Sequence, residues 1–463
     1  MMSWDKLLSN RRLGRSGATS DRGSGRSAFL SDIDRITFSA SFRRLARKTQ
    51  VFPLAANDHV HNRLTHSLEV SRVGRTLGSA VGWTLLHGSK YERHRPSNRT
   101  YLDFGAIVEA ASLAHDIGHP PFGHAGDRAL RHWFDHSDSA DQLRKHLAKI
   151  EFTDLRNFDG NAQGFRRITQ LDKDIFAGGL NLTYATLASY IKYPQWAATP
   201  SCKSGFFRTE RDIVETISQD LALAKVGKGY ARHPLSYLVE SADDVCYGFL
   251  DLEDAVEMGI LGLHDVAATL LQALPPTERK AYRPEADQHS HRIVFAKMRG
   301  KIFRAAIGAA VRSFFRNYDA ILEGTFDCEL LEDAATRGER AARVVLEAKR
   351  RARDEVFPFD HKASVELASY AVIARLLDEF VGAALAFAKA YARNASGPRV
   401  DSKSAILLDM LGDHQPKRAN APKGTDWTTH QCVRRMLDFI SGMTDDFAIR
   451  VARQLSGQLD LRL

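Results

Sequence analysis

Apolar residues recur every three or four positions along most of this chain. The clearest stripe lies within residues 103–116, where Asp103 is the expected N-cap and His115 and Asp116 stand at the helix end. Pro53 indicates a short extended segment at residues 50–54, and almost nothing alternates with the two-residue period of a strand. The pattern predicts an all-α fold with further helices at 33–45, 65–81, 128–150, 215–223, 234–247, 254–274, 291–317, 331–355, 363–393 and 427–455.

The N-terminal segment departs from this helical pattern. Residues 9–27 are rich in Arg, Gly and Ser and poor in large apolar side chains, which is typical of a flexible basic arm. We therefore expect residues 1–31 to form such an arm and order to begin near Asp32. Neither a repeat period nor a clear linker divides the remainder.

Composition narrows the class of protein. The net charge of +9 favours polyanionic partners, although a basic solvated face explains it equally well. Four cysteines lie far apart without CxxC spacing, which argues against a disulfide framework and against a thiolate zinc site. The N-terminus has no apolar signal core, and no run approaches the ~18 apolar residues of a membrane span. We expect a cytoplasmic protein without a membrane partner.

Three histidines and two carboxylates lie close together at 115–127. His115 and Asp116 follow the helix, and His119, His124 and Asp127 follow across a turn that contains two prolines. Neutral imidazole and carboxylate suit divalent ions that keep water positions open. Because His-Asp is a common dipeptide, the pair taken alone favours a structural role.

Two distant residues favour metal binding over a structural role for this pair. His66 lies on the helix upstream, and Asp243 lies near the end of a later helix. Together with His115 and Asp116 they supply two imidazoles and two carboxylates. This set suits Mn²⁺, Mg²⁺, Fe²⁺ or Zn²⁺ with positions left for water and substrate.

The ordered H…HD…D set resembles that of the HD-domain metal-dependent phosphohydrolases. The motifs around it are more specific, and together they resemble the dGTPase family from about residue 26 to 260. These motifs are KTQVF at 48–52, RLTHSLEV at 63–70, HDIGHPPFGHAG at 115–126, GNAQ at 160–163, GLNLT at 179–183, KYP at 192–194, and ADDVCY at 242–247 with DLED at 251–254.

The resemblance implies an HD-type catalytic domain at 32–260 with a helical C-terminal region, 261–463, packed on it. It implies hydrolysis of deoxynucleoside triphosphates to deoxynucleoside and tripolyphosphate. The implied cofactor is a divalent metal, with Mn²⁺ or Mg²⁺ favoured over Fe²⁺, Zn²⁺ or Co²⁺, held by His66, His115, Asp116 and Asp243. Family members assemble, so a homo-oligomer is expected.

The resemblance also implies a set of substrate contacts. Gln50 is similar to the residue that binds the sugar 3′-hydroxyl, and Asp251 to a second hydroxyl partner. Tyr247 would pack on the deoxyribose where a 2′-hydroxyl would clash. Arg63 resembles the arginine at the α-phosphate, and Lys192 resembles a triphosphate contact.

Three further residues are candidates for the chemistry. Departure of the 5′-oxygen after water attacks the α-phosphorus needs a proton donor within hydrogen-bond reach. His124, oriented by Asp127, is the candidate acid, or the base on the water, and His119 is expected to stabilise charge on the phosphate. Many family members carry Glu at the positions of Asp127 and Asp159, so the shorter carboxylates alter fine geometry rather than the type of chemistry.

Two other functions remain open from the sequence. One is another HD phosphohydrolase, such as a 5′-nucleotidase or a signalling-nucleotide hydrolase. The other is a weakly catalytic sensor of nucleotides or single-stranded DNA, suggested by the basic arm and an arginine-rich helix at 334–353. That helix is a solvated face in the first interpretation and an anion-binding face in the second.

Overall fold

Helices make up nearly all regular structure in a computed structural model of the chain. It describes residues 1–14, 26–52, 57–172, 178–196, 203–227, 229–280, 282, 291–356, 360–396, 398–416 and 427–458. Within these ranges the strands are one antiparallel pair, β1 (Lys225–Val226) and β2 (Gly229–Tyr230), with Lys225 opposite Tyr230. The all-α prediction is confirmed.

The first half of the chain forms twelve α-helices within the described residues. They are α1 (Trp4–Leu7), α2 (Ala28–Thr37), α3 (Ala40–Arg44), α4 (Arg63–His87), α5 (Tyr101–Ala114), α6 (His124–His136), α7 (Asp138–Arg144), α8 (Lys149–Arg156), α9 (Gly160–Arg166), α10 (Tyr184–Tyr190), α11 (Arg211–Asp220) and α12 (Ser236–Glu257). Short 3₁₀-helices cover Leu45–Arg47, Ser89–His94 and Arg208–Glu210, and Arg167–Leu171 is π-helical.

The second half continues with ten more among the described residues. They are α13 (Leu263–Leu271), α14 (Pro276–Arg279), α15 (His291–Arg316), α16 (Tyr318–Glu323), α17 (Leu330–Thr336), α18 (Arg340–Arg351), α19 (Asp360–Arg393), α20 (Ser402–Asp409), α21 (Thr429–Ser441) and α22 (Asp445–Leu455). Ala352–Val356 is π-helical, and Gly412–His414 is a 3₁₀-helix.

The start of the chain is built into the core. Trp4 and Leu7 on α1 are buried, and the Trp4 indole donates a hydrogen bond to the Tyr318 hydroxyl at 2.9 Å. Arg12 is also buried and pairs with Asp32 at 2.6 Å. The expectation that order begins near Asp32 is therefore wrong for residues 1–14, because a few large apolar side chains before the basic stretch suffice to anchor it. Residues 15–25 of the predicted arm lie outside the described residues.

Capping residues divide or shift several predicted helices. The predicted helix at 33–45 is two helices, because the Ser39 hydroxyl accepts the Phe42 amide at 3.1 Å and starts α3. Helix α5 begins at Tyr101 rather than after Asp103, which instead accepts the Thr100 amide at 2.8 Å within a capping box. The predicted helix at 427–455 is likewise α21 and α22.

Close packing of α4 on α5 brings the two HD-motif helices together. A Cβ atom at Gly78 would lie 2.6 Å from the Phe104 carbonyl oxygen, so only glycine permits this approach. Gly74 faces Ser112 and Gly82 faces Phe104, which places the start of α4 beside the end of α5. His66 and His115 thereby become neighbours, with ring centroids 5.3 Å apart.

A second apolar cluster joins the segment after the HD motif to the C-terminal helices. It contains Leu130, Trp133 and Phe134 of α6 together with buried residues of α19 to α22, such as Leu377 and Met436. The C-terminal helices therefore pack against the residues that follow the site. The predicted boundary between a catalytic domain at 32–260 and a C-terminal region at 261–463 stays a prediction.

Candidate active site

A cavity of about 550 Å³ opens beside the start of α4, the turn between α5 and α6, and α12. Two of the twelve predicted site residues, Asp127 and Asp251, are buried and do not line it. The other ten do: Gln50, Arg63, His66, His115, Asp116, His119, His124, Lys192, Asp243 and Tyr247. Residues separated by almost 200 positions thus converge on one space.

The four predicted metal ligands form one cluster on its wall. His66 Nε2 lies 3.0 Å from Asp243 Oδ1, and His115 Nε2 lies 3.6 Å from the same oxygen. His115 Nε2 is also 3.5 Å from Asp116 Oδ1. Bonds of about 2.0–2.2 Å to nitrogen and oxygen ligands place neighbouring donor atoms roughly 3.0–3.5 Å apart. The donor atoms of His66, His115 and Asp116 all lie within 4.8 Å of one another, which fits one divalent ion, and Asp243 adjoins the two imidazoles.

The orientation of His115 supports the same interpretation. Its Nδ1 lies 2.7 Å from the carbonyl oxygen of Ser112, one turn back on α5. A proton on Nδ1 donated to that carbonyl leaves the lone pair of Nε2 facing Asp116 and Asp243. Metal-binding histidines generally carry such a partner on their second nitrogen.

Arg63 sets the charge of Asp116. Its guanidinium lies 2.7 Å from Asp116 Oδ2, and both side chains are buried. Burial alone would raise the pKa of Asp116, but Arg63 and the neighbouring histidines outweigh it and hold the pKa well below its usual range. In Asp243 burial is likewise outweighed, by His66 and His115, and its pKa is lowered. Both carboxyl groups are therefore ionised near neutral pH, the state in which a carboxylate binds a metal ion.

The turn between α5 and α6 presents His119 and His124 on the other side of Asp116. Gly123 precedes His124 with φ of +57°, and a Cβ atom there would lie 2.4 Å from Arg63 Nη2. Glycine thus allows the turn and the arginine to share this space. The two imidazoles are edge to face with centroids 5.1 Å apart, and His124 Nδ1 lies 3.5 Å from Asp127 Oδ2.

His119 and His124 sit in contrasting environments. The His124 side chain is 73% exposed in the cavity mouth, whereas His119 is buried. Burial, with the charge of Arg63, lowers the pKa of His119 to about 3 despite Asp116 at 3.2 Å. His119 is therefore a neutral imidazole near neutral pH. These two histidines and Asp127 also bring their donor atoms within 4.8 Å of one another.

The predicted sugar contacts occupy two walls of the cavity. Gln50 Oε1 is buried and accepts no hydrogen bond from the described residues, as expected of an acceptor kept for a ligand hydroxyl. Tyr247 lines the cavity and hydrogen-bonds to Asp251 behind it. Burial and then Asp251 raise the pKa of Tyr247, so its hydroxyl stays protonated.

Lys192 reaches the cavity wall as part of an ion-paired group. Its ammonium lies 2.7 Å from Glu240, which also binds Arg232 at 2.8 Å. Burial would lower the pKa of Lys192, but Glu240 outweighs it and the pKa is raised. The lysine is therefore a fixed positive charge beside the cavity.

Asp159, one of the two aspartates at which the resemblance led us to expect glutamate, caps a helix at this site. Asp159 Oδ1 accepts the Asn161 backbone amide at 2.8 Å and its side-chain amide at 2.9 Å. Asn161 lines the cavity. The shorter carboxylate thus holds Asn161 in place at the start of α9.

Three further cationic side chains line the cavity, and none of them was among the predicted site residues. They are Arg128, which pairs with Glu366 at 2.8 Å, together with Lys203 and Arg353. Arg353 belongs to the arginine-rich stretch, so the anion-binding interpretation of that stretch fits this one residue. The excess of arginine in this stretch was the sequence signal for an anion-binding residue. No periodicity, however, distinguishes Arg353 from the other arginines of the stretch.

The comparisons with known proteins agree with this geometry. The HD-domain family model matches residues 63–158, which contain three of the four predicted metal ligands. Fold and site thus define an HD-domain protein. Among the described residues, no helix combines the length and apolar character needed to cross a bilayer.

Relatives extend the match to nearly the whole chain. A deoxyguanosinetriphosphate triphosphohydrolase-like protein of Pseudomonas aeruginosa is 40% identical over 99% of both chains. One of Synechocystis is 35% identical over 98% of this chain and 99% of its own. The deoxyguanosinetriphosphate triphosphohydrolase of Yersinia pseudotuberculosis is 31% identical over 92% of this chain and 93% of its own. The chain belongs to the dGTPase family within the HD-domain superfamily.

Proposed function

We propose that this protein is a metal-dependent triphosphohydrolase that converts deoxynucleoside triphosphates, dGTP among them, to deoxynucleoside and tripolyphosphate. The main support for this proposal is the cluster of His66, His115, Asp116 and Asp243 beside a cation-lined cavity. The printed names of its relatives support the substrate class.

The ligand cluster supports the metal requirement. His66, His115, Asp116 and Asp243 would hold one divalent ion. The mixed nitrogen and oxygen donors suit Mn²⁺, Mg²⁺, Fe²⁺ or Zn²⁺, and the family resemblance favours Mn²⁺ or Mg²⁺ among them. When bound, this ion supplies Lewis-acid polarisation of a phosphate oxygen and of water.

The residues of the turn supply proton transfer and charge stabilisation. His124, exposed to the cavity and oriented by Asp127, donates a proton to the departing 5′-oxygen or accepts one from the attacking water. His119 is neutral and buried, and its ring contributes hydrogen bonding toward the phosphate rather than a full charge. Hydrolysis at the α-phosphorus releases the three phosphates together.

The cavity wall accounts for substrate binding. Arg63 at the α-phosphate and Lys192 toward the outer phosphates offset the negative charge of the triphosphate. Arg353 and Lys203 add positive charge to the lining of the cavity, where Arg128 is paired with Glu366. Anchoring of the phosphates by side chains fixed in ion pairs favours a single orientation of the substrate.

The sugar end is bound by neutral groups. Gln50 would accept a hydrogen bond from the 3′-hydroxyl through its buried Oε1. Asp251, predicted as a second hydroxyl partner, lies behind Tyr247 and would act through its hydrogen bond with that residue. Tyr247, fixed by Asp251, would pack against C2′ and exclude a ribose 2′-hydroxyl. This contact would explain preference for deoxynucleotides.

Phosphate-product analysis tests the proposal. Purified protein with Mn²⁺ is incubated with each dNTP singly and mixed, and we expect tripolyphosphate and deoxynucleoside. Orthophosphate, pyrophosphate or monophosphate would indicate another HD phosphohydrolase, and absence of product with metal bound would indicate a nucleotide sensor.

Assembly into a homo-oligomer, a cytoplasmic location and binding of single-stranded DNA stay predictions. Two exposed arginines of the arginine-rich stretch are ion-paired, Arg337 with Asp333 at 3.1 Å and Arg350 with Asp354 at 3.0 Å. Such pairing lowers the charge available to a polyanion. A mobility shift with single-stranded DNA that weakens steeply with salt would support DNA binding, and absence of a shift would contradict it.

A further inference from the structure

One buried carboxylate of the C-terminal region touches both loops of the candidate active site. Asp445, the first residue of α22, is buried. Its Oδ1 accepts the backbone amide of Phe122 at 2.9 Å. Its Oδ2 accepts the backbone amide of Thr49 at 2.9 Å and also the Thr49 hydroxyl. Three donors from two separate segments therefore converge on one side chain.

Lys48 joins the same three segments from the other side. Its buried ammonium donates to the carbonyl oxygen of His119 and, at 2.7 Å, to that of Ser441 at the end of α21. The turn before α6, the segment at residues 48–50 and the α21–α22 junction are thus connected twice. We call this group, Lys48, Thr49 and Asp445, the C-terminal clamp.

The clamp acts on the two segments whose placement the reaction needs. Thr49 directly precedes Gln50, and Phe122 lies two residues before His124. Phe122 has φ of +64°, a conformation that non-glycine residues adopt only when their surroundings enforce it. A fixed acceptor for the Phe122 amide supplies that enforcement.

We propose that Asp445 is a positioning residue that sets Gln50 and His124 at their working separation, so that the C-terminal region completes the active site. The inference rests on the proposed function for the roles of Gln50 and His124. The contacts of Asp445 themselves do not depend on that function. A helix more than 300 residues from the HD motif thereby belongs to the catalytic apparatus.

The chemistry of the three contacts explains why a carboxylate is needed. A carboxylate offers acceptor positions on both oxygens, whereas the asparagine side chain offers one oxygen and one donating amide. In Asp445→Asn the amide group must face either the Phe122 amide or the Thr49 donors. A donor then opposes a donor, and one of the two segments is released.

The test compares Asp445→Asn with Asp446→Asn. Asp446 is the next residue and undergoes the same chemical change, but its side chain is 57% exposed and pairs only with Arg47, at 3.2 Å, among the described residues. We expect Asp445→Asn to lower kcat about 10- to 100-fold through misplacement of the reacting groups. Asp446→Asn should retain wild-type kcat and metal content.

A second readout separates positioning from general destabilisation. Gln50 is proposed to bind the 3′-hydroxyl, so the preference for a dNTP over its 2′,3′-dideoxy analogue should shrink by about tenfold or more in Asp445→Asn. Wild-type kcat and wild-type preference in this variant would overturn the inference. Equal losses in Asp446→Asn would also overturn it.

A third readout does not depend on the proposed function. Hydrogen exchange at the Thr49 and Phe122 amides should be faster in Asp445→Asn than in wild type and in Asp446→Asn. Unchanged exchange would refute the clamp even if no dNTP proved to be a substrate. If wild type cleaves no dNTP while exchange behaves as expected, the proposed function fails and the clamp stands as a structural contact only.

Thr49→Val is the second variant if Asp445→Asn does not fold. It removes one hydroxyl donor and keeps the side-chain shape. We expect the preference for the 3′-hydroxyl to fall in the same direction by a smaller factor. A Thr49→Val protein with wild-type preference would overturn the inference.

Discussion

His115 and Asp116 are adjacent in sequence but are held by different parts of the molecule. The His115 ring is oriented by the carbonyl oxygen of Ser112 on its own helix, whereas Asp116 is held by Arg63 from α4. Beyond the helix end, His115 lies 3.6 Å from Asp243, and the donor atom of Asp116 lies within 4.8 Å of those of His66 and His115. Each of these two side chains is therefore held in its orientation by one further residue.

Replacing His124 tests the assignment of proton transfer. His124→Ala should lower turnover by roughly 10²–10⁴ and leave the metal content unchanged, because His124 is not one of the four clustered ligands. Steady-state kinetics with metal analysis checks both quantities. His132→Ala on the same helix is the control, since its exposed ring stacks on His136 and meets Tyr370 edge to face, its only ring contacts among the described residues. Wild-type turnover in His124→Ala would contradict the role.

His115→Ala should behave differently, with metal and activity lost together. Removal of a ligand nitrogen leaves three donors and an open position, which weakens retention of a divalent ion. Metal content after gel filtration gives the measurement, and His132→Ala again serves as control. A stoichiometric metal ion retained in His115→Ala would show that His115 is not a ligand.

Contacts within the protein fix the position of the beginning of α4 without any contribution from substrate. His61 lies just ahead of α4 and bridges Asp254 of α12 at 2.7 Å and Glu69 of α4 at 3.0 Å. Asn62 then caps the helix by accepting the amides of Leu64 and Thr65. His66 and Arg63 in the first turn are consequently fixed relative to α12, which carries Asp243.

This bridge predicts a pH dependence of stability. Burial lowers the pKa of His61, but its hydrogen bonds to the Asp254 and Glu69 carboxylates outweigh burial and raise the pKa to about 10. A pKa raised on folding contributes stability that is complete below about 6.5, the value expected in the unfolded chain. The contribution then declines, by up to ~1.4 kcal/mol per pH unit, as the pH rises toward 10.

Urea unfolding between pH 6 and 10 measures this contribution. The free energy of unfolding of wild type should exceed that of His61→Gln most at pH 6, and the difference should shrink toward pH 10. Wild type and variant share every other titrating group, so the contributions of those groups cancel in the difference. A difference that is constant across this range would contradict a charged His61 in the folded protein.

Across the whole molecule, the sequence predicts local features well and distant contacts poorly. The helical class and the order of His66, His115, Asp116 and Asp243 follow from periodicity and motif. The burial of α1 does not, because four residues have no resolvable period. Asp445 contacts Phe122 across 323 positions, and no local pattern at either residue indicates the other. Likewise, Arg353 lines the cavity, but the sequence pattern does not distinguish it from the neighbouring arginines.

Hydrolysis in ¹⁸O-labelled water tests the central claim most directly. Attack of water on the α-phosphorus with cleavage of the bond to the 5′-oxygen must place the label in tripolyphosphate and leave the deoxynucleoside unlabelled. Mass spectrometry of both products from a dNTP decides the question. Label in the deoxynucleoside, or in orthophosphate or pyrophosphate instead of tripolyphosphate, would contradict the proposed reaction.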